Sequence, residues 1–157
     1  MFNTLEFARQ KFPSLNAKEV AQIIAKSKLR KLKPGELFIK EGEVSSGPAY
    51  IAKGVMRSYV KVDGEEKTVV FRKDSEFIGA LPSMFNDEPA VETVVAVENC
   101  IILTLDWKGF RQLAAKNSII GRAYSRVIEG MMLESVDRIH EFTTLSAEQR
   151  YVKFIQE

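Results

Sequence analysis

The chain has 157 residues, 45% hydrophobic and 28% charged, with 23 Lys and Arg against 21 Asp and Glu and a formal net charge of +2. That suits one globular domain, or one domain and a fragment of another, and so even a balance of charge does not by itself argue for a nucleic-acid partner. A single cysteine, Cys100, and a single histidine, His140, exclude an internal disulfide and leave zinc and iron–sulfur chemistry without ligands.

From the N-terminus, MFNTLEFARQKF carries charge early and has no long apolar run, so it reads neither as a signal peptide nor as a membrane span. With a lone cysteine, this points to a cytoplasmic protein. Residues 1–28 are predicted helical. Asn16 and Glu19 form a capping box ahead of the apolar stripe Val20, Ile23 and Ile24.

Residues 29–105 are predicted to be strands. Apolar and polar residues alternate around Pro34-Gly35, a turn dipeptide. Asp63-Gly64 between VMRSYVKV and EKTVVF is a hairpin signal. Closely spaced glycines (35, 42, 47, 54, 64, 79) suit an antiparallel sandwich or barrel. AVETVVAVENCIILTLD gives two more strands parted by Glu98-Asn99, with Cys100 as a small buried hydrophobe. Lys26, Lys28, Arg30, Lys31 and Lys33 read as a solvated strand face; the alternative is a phosphate-backbone contact.

Helix returns at residue 106. Asp106 is a candidate N-cap for WKGFRQLAAKN, and Ser118 for the long helix that follows. The first half of that helix is apolar nearly all round, so it needs cover on two sides. A second copy of the chain is the simplest second cover; a core helix of a monomer is the alternative. The heptad spacing of Ile120 and Val127, and of Tyr124 and Met131, marks these four as the dimerisation candidates. Ser146 and Gln149 form a capping box for a last helix with Tyr151, Val152, Phe154 and Ile155 on its apolar side.

The segments LKPGELFIKEGE (32–43), AYIAKGVMRSYVKVDGEE (49–66), FIGALPSMFNDEPAVETVVAVENCIILTLD (77–106) and the helix through HEFTTLSAEQRYVKFI, in that order and spacing, resemble the cyclic-nucleotide-binding domain of the Crp/Fnr family of bacterial transcription regulators. The resemblance runs from about Leu15 to Glu157. It implies an α+β fold: an eight-stranded antiparallel β-roll of jelly-roll type with N-terminal helices, and a long C-terminal dimerisation helix. The expected organisation is a β-roll domain over 1–117, a dimerisation helix over 118–142, and over 143–157 the start of a helix-turn-helix domain whose remainder is absent from this chain. Homodimerisation and DNA binding through that further domain are what the family implies, with no membrane role.

In that family a phosphate cassette runs Phe-x-Gly-Glu-Leu and, about eight residues on, Arg-Ser or Arg-Thr. The Glu holds the ribose and the Arg pairs the cyclic phosphate. Here Gly79 and Leu81 match, Ala80 replaces the Glu, and Ala90-Val91 replace Arg-Ser. From Asp74 to Trp107 there is no Lys, Arg or His, while seven acidic residues, Glu92 among them, lie in that span. A buried anion without its partner charge costs about 3–5 kcal/mol, roughly two to four decades of affinity. Pro82 suits the start of a short helix whose N–H groups survive as half a cradle. Arg72, Lys73 or a side chain from the long helix is the alternative source of a cation. Phe71, Gly79, Ala80, Leu81, Ala90, Val91, Glu92, Leu133 and Glu134 are the ligand-site candidates, the last two where the family's helix meets adenine.

The expected function is effector sensing and dimerisation in a Crp/Fnr-like regulator, with cyclic nucleotide a disfavoured ligand, the effector unidentified and no cofactor assigned. The alternative is a stand-alone ligand- or protein-binding module. An enzyme is disfavoured. Asp87-Glu88 beside Pro89 is a turn pair, one histidine cannot supply a cupin metal site, and Cys100 and His140 lie on elements of different kinds.

Overall fold

A computed structural model of the protein describes residues 12–156. The helix expected over 1–28 falls partly outside them and ends earlier than expected, since a strand already begins at Ser27. Its described portion is α1 (Ala17–Ile24), followed by β1 (Ser27–Leu32), β2 (Leu37–Ile39), β3 (Ala49–Lys53), β4 (Met56–Val62), β5 (Glu65–Arg72) and β6 (Phe77–Ile78). Then come α2 (Leu81–Asn86), β7 (Thr93–Ala96), β8 (Cys100–Leu105), α3 (Trp107–Lys116), α4 (Ser118–Thr144) and α5 (Ala147–Gln156).

The strands form two four-stranded sheets, ordered β1-β8-β3-β6 and β2-β7-β4-β5, with every pairing antiparallel. This is the expected β-roll. Leu32, Ile39, Ile51, Met56, Val94 and Ile102, drawn from both sheets, fill the space between them with Cys100. The hairpin at Asp63-Gly64 is a two-residue turn with both residues at positive φ, 56° and 84°. The basic residues around β1 flank an edge strand that pairs only with β8, where exposed lysines discourage a further strand from adding.

A second apolar cluster sits between the first sheet and the helices. Val20 and Ile23 of α1, Tyr50 of β3, Trp107 and Phe110 of α3, and Ile120 and Ala123 of α4 meet there. Ring centroids of Trp107 and Tyr124 are 5.4 Å apart, and those of Trp107 and Phe110 5.8 Å. Helix starts follow the expected caps with one correction. Asn16 and Glu19 make the capping box, and Asp106 Oδ1 accepts from the Gly109 amide at 3.0 Å. Ser146 and Gln149 exchange the reciprocal bonds of the last box. The long helix, however, is capped by Asn117, whose side chain accepts from the Ile119 and Ile120 amides; Ser118 is its first residue. The amide side chain reaches the first-turn N–H groups one residue earlier than the sequence suggested.

The four dimerisation candidates are turned inward. Ile120 is wholly buried, Tyr124 packs on Trp107 and Phe110, and Val127 and Met131 face the β-roll. The exposed apolar residues of α4 are instead Met132, Leu133, Val136, Ile139 and Phe142. The helix is apolar on two faces, and the aromatic residues of α3 claim the one that carries Ile120 and Tyr124. Of the last helix, Val152 is exposed, while the side chains of Tyr151, Phe154 and Ile155 lie outside the described residues. Among the described residues no helix is long and apolar enough to cross a membrane.

The β3–β4 turn tests the fit of the sandwich. Gly54 has φ +105°, and a Cβ there would lie 2.7 Å from Cys100 Sγ and 2.9 Å from the Asn99 carbonyl oxygen. At Gly35, φ +83°, an added Cβ meets nothing. Gly54→Ala should therefore cost about 3 kcal/mol, from backbone strain plus overpacking, against about 1 kcal/mol for Gly35→Ala. Urea denaturation of both variants measures the difference; equal losses would refute the packing argument.

Candidate functional site

Strand alternation, a bulge and one helix face together build a cavity of about 170 Å³ between β4–β5, the β6–α2 turn and α4. Val70 and Arg72 of β5 point into it, whereas Phe71 between them faces out, as a period of two requires. From α4 come Val127, Met131, Glu134 and Arg138, spaced three or four residues apart on one face. Phe77, Leu81 and Met84 complete much of the apolar wall.

The charged groups at this cavity are Arg72, Glu92, Glu134 and Arg138. Each is engaged. The Ser58 hydroxyl donates to Glu92 Oε2. Arg72 pairs with Glu134. Arg138 Nη2 donates to the Val69 carbonyl at 2.9 Å. The indole N–H of Trp107, which also borders the cavity, is buried and has no hydrogen-bond partner among the described residues.

Among the sequence candidates, Gly79, Leu81, Glu92 and Glu134 come together at the cavity. Ala80 and Ala90 lie in the sandwich core instead, 0% and 2% exposed. Ala90 is held there by paired backbone hydrogen bonds, donating to Glu43 and accepting from Gly42. Val91, 62% exposed, and Leu133, 67% exposed, point to solvent, and Phe71 borders an outer groove along α4. Helix α2 has Ala80 at its N-cap, which makes no side-chain cap bond, and Pro82 in its first turn.

The cassette has no cation, but the cavity has two. Arg72 enters from just before the cassette, and Arg138 from a helix about sixty residues later in the chain. The expectation of a cavity without a positive anchor is corrected in favour of its alternative, a cation from Arg72 or from the long helix. Ser58 and Arg138 were not anticipated as site residues. For Arg138 a signal existed, since it lies seven residues after Met131 and so shares its face.

A fold of this kind has known counterparts. The profile of the cyclic nucleotide-binding domain matches residues 29–117, more than half of the chain. The chain belongs to the cyclic nucleotide-binding domain family. The sensor domain of the transcriptional regulator DNR from Pseudomonas aeruginosa is 23% identical, with a TM-score of 0.67 over 90% of this chain and 93% of that one. Catabolite activator protein of Thermus thermophilus is 18% identical, with a TM-score of 0.67 over 85% of this chain and 62% of that one. The regulatory domain of Toxoplasma gondii PKA, in complex with cAMP, is 23% identical over 69% of this chain and 42% of that one, with a TM-score of 0.60. A protein of Rhodopseudomonas palustris named as a potassium channel is 28% identical over 120 residues, and the match spans 28% of its length.

Cys100 and His140 stand on different elements, a strand and a helix. Cys100 is buried between the sheets, its Sγ 3.3 Å from the Val55 carbonyl oxygen, and His140 is exposed on α4. Among the described residues no group of three His, Cys, Asp or Glu could hold a metal ion. Burial holds the Cys100 thiol above its usual pKa, against a smaller lowering by hydrogen bonding to the Glu98 backbone. At neutral pH the group is therefore a protonated, enclosed thiol. A disulfide reagent such as DTNB should modify the folded protein at least about a hundredfold more slowly than the urea-unfolded chain. Comparable rates would show that the sandwich opens readily at β8.

Proposed function

We propose that this domain is the effector-sensing and dimerisation half of a Crp-type transcription regulator, cytoplasmic, and that it does not bind cAMP in the family's usual way. The observation that carries the reading is the fate of the cassette. Ala80 and Ala90 are absorbed into the core and Val91 points outward, so the loop offers neither a ribose carboxylate nor a phosphate guanidinium. Arg72 is already neutralised by Glu134, and Glu92 adds a carboxylate to the same space. A cyclic phosphate entering there must first displace Glu134 from Arg72, and the polar ribose attached to it then meets mainly apolar walls with no carboxylate in the loop to hold its hydroxyls.

Calorimetric titration of the purified protein with cAMP and cGMP should give no binding tighter than about 10 μM, because the ribose hydroxyls are buried without partners at about 1–3 kcal/mol each. Submicromolar binding of either nucleotide would overturn this reading of the cassette.

Dimerisation is supported by the exposed row Met132, Val136 and Ile139, with Leu133 beside it on α4. Residues three and four apart on one face are what a second copy of the same helix would cover. Recognition of DNA would fall to a separate helix-turn-helix domain, placing its second helix in the major groove at a half-site spacing set by the dimer. The protein should sediment as a dimer at micromolar concentration, and Val136→Glu combined with Ile139→Glu should yield a folded monomer. A wild-type monomer at tens of micromolar would remove the dimer from the proposal.

A second reading is a ligand-responsive module with an output other than transcription. It draws on the match to the protein named as a potassium channel, in which the shared stretch is a minor part of the whole.

A further inference from the structure

Two side chains one turn apart on α4 tie the helix to β5 beside the cavity. Glu134 pairs with Arg72, the last residue of the strand. Arg138 takes the carbonyl of Val69. The second tie depends on a bulge: Ser58 faces Val70 and Tyr59 faces Thr68, so Val69 stands out of the β4–β5 ladder. The two partners of the ion pair are unequally placed. The Arg72 side chain is 18% exposed and that of Glu134 44%. Glu134 can turn into water at little cost, whereas Arg72 would be left enclosed and in need of a new counter-charge.

We propose that Arg72 is the anion anchor of this cavity, that Glu134 occupies it in the unliganded protein, and that the effector is a small amphipathic monoanion. Its acid group replaces the Glu134 carboxylate on Arg72. Its apolar body lies against Val70, Phe77, Met84, Val127 and Met131. A single negative charge is what the site accommodates. With Glu134 in solvent, Arg72 and Arg138 face Glu92 and one ligand acid, and the balance of the empty cavity is restored. A dianion would leave one charge uncompensated in a mainly apolar space. Binding also removes the Arg72–Glu134 tie between α4 and β5.

The inference rests on the reading of this cavity as an effector site, and its test uses no nucleotide, so the two can fail separately. Octanoate and its neutral isostere octanamide are titrated calorimetrically into the full chain and into its Arg72→Gln and Glu134→Gln variants. Octanoate should bind at least about tenfold more tightly than octanamide, as a charge-assisted contact requires. Glu134→Gln should strengthen octanoate about fivefold, by removing a partly exposed competitor, and leave octanamide unchanged. Arg72→Gln should bring octanoate down to the level of octanamide. No octanoate binding, equal binding of the two probes to the wild type, or an acid preference that survives Arg72→Gln overturns the proposal. Where Arg72→Gln does not fold, Glu134→Gln decides, and an unchanged or weakened octanoate affinity in that variant is equally fatal.

Discussion

Helix α4 must be covered on more than one face, and the way its inner face is covered determines the rest of the domain. Ile120, Ala123 and Tyr124 pack into the cluster centred on Trp107 and Phe110. That packing fixes the helix rotation. Once fixed, a repeat of about 3.6 residues per turn dictates that Val127, Met131, Glu134 and Arg138 look onto β5, and that Met132, Val136 and Ile139 look away. The cavity and the exposed stripe are therefore consequences of one hydrophobic contact near the start of the helix. Burial of large aromatic groups is worth several kcal/mol there, whereas the polar ties further along contribute about 1 kcal/mol each. The strong contact sets the geometry, and the weak ones are free to change within it.

Much of the fold was legible in the sequence because its signals are local. The Asp63-Gly64 hairpin, the capping boxes at Asn16 and Ser146 and the cap at Asp106 each satisfy backbone groups within four residues, so spacing alone reveals them. The site was less legible, because it is assembled across the chain. Ala80 and Ala90 were marked through resemblance to a cassette, but methyl side chains at those points are drawn into the sandwich rather than toward a ligand. Arg72 was visible as a side chain within reach. Arg138 was visible only as a residue on the Met131 face; its tie was not, since that depends on a carbonyl exposed by a bulge at Val69, and nothing in KTVVFR announces that extra residue. The rotation of α4 was illegible for a related reason: both of its faces are apolar, and only the distant aromatic residues of α3 decide between them.

Polar groups in the cavity show a consistent pattern of pairing inside the chain. Ser58 serves Glu92, Glu134 serves Arg72, and the Val69 carbonyl serves Arg138. An apolar space with its charges already paired is stable when empty, which a bare anion seat would not be. It also sets a condition on any ligand, which must replace a partner rather than fill a vacancy. The buried Trp107 N–H is the exception, a donor without an acceptor at the cavity border. Such a group costs about 1–3 kcal/mol if left unpaired, and it favours a polar atom, from water or from a bound molecule, at that end of the space.

The same two turns of α4 carry Met131, Glu134 and Arg138 inward and Met132, Val136 and Ile139 outward. A helix moves as a rigid body over that length, so a change at the inner face is a change at the outer one. A ligand that breaks the Arg72–Glu134 tie can bias the helix only by the difference between its affinities for the tied and released arrangements. For the loss of one partly exposed ion pair, that difference is at most of the order of the 1–3 kcal/mol usual for coupling between sites, a factor of about 5–150. Linkage makes the coupling reciprocal. Whatever seats the outer face of α4 in the released position must, by the same factor, make Glu134 easier to displace from Arg72.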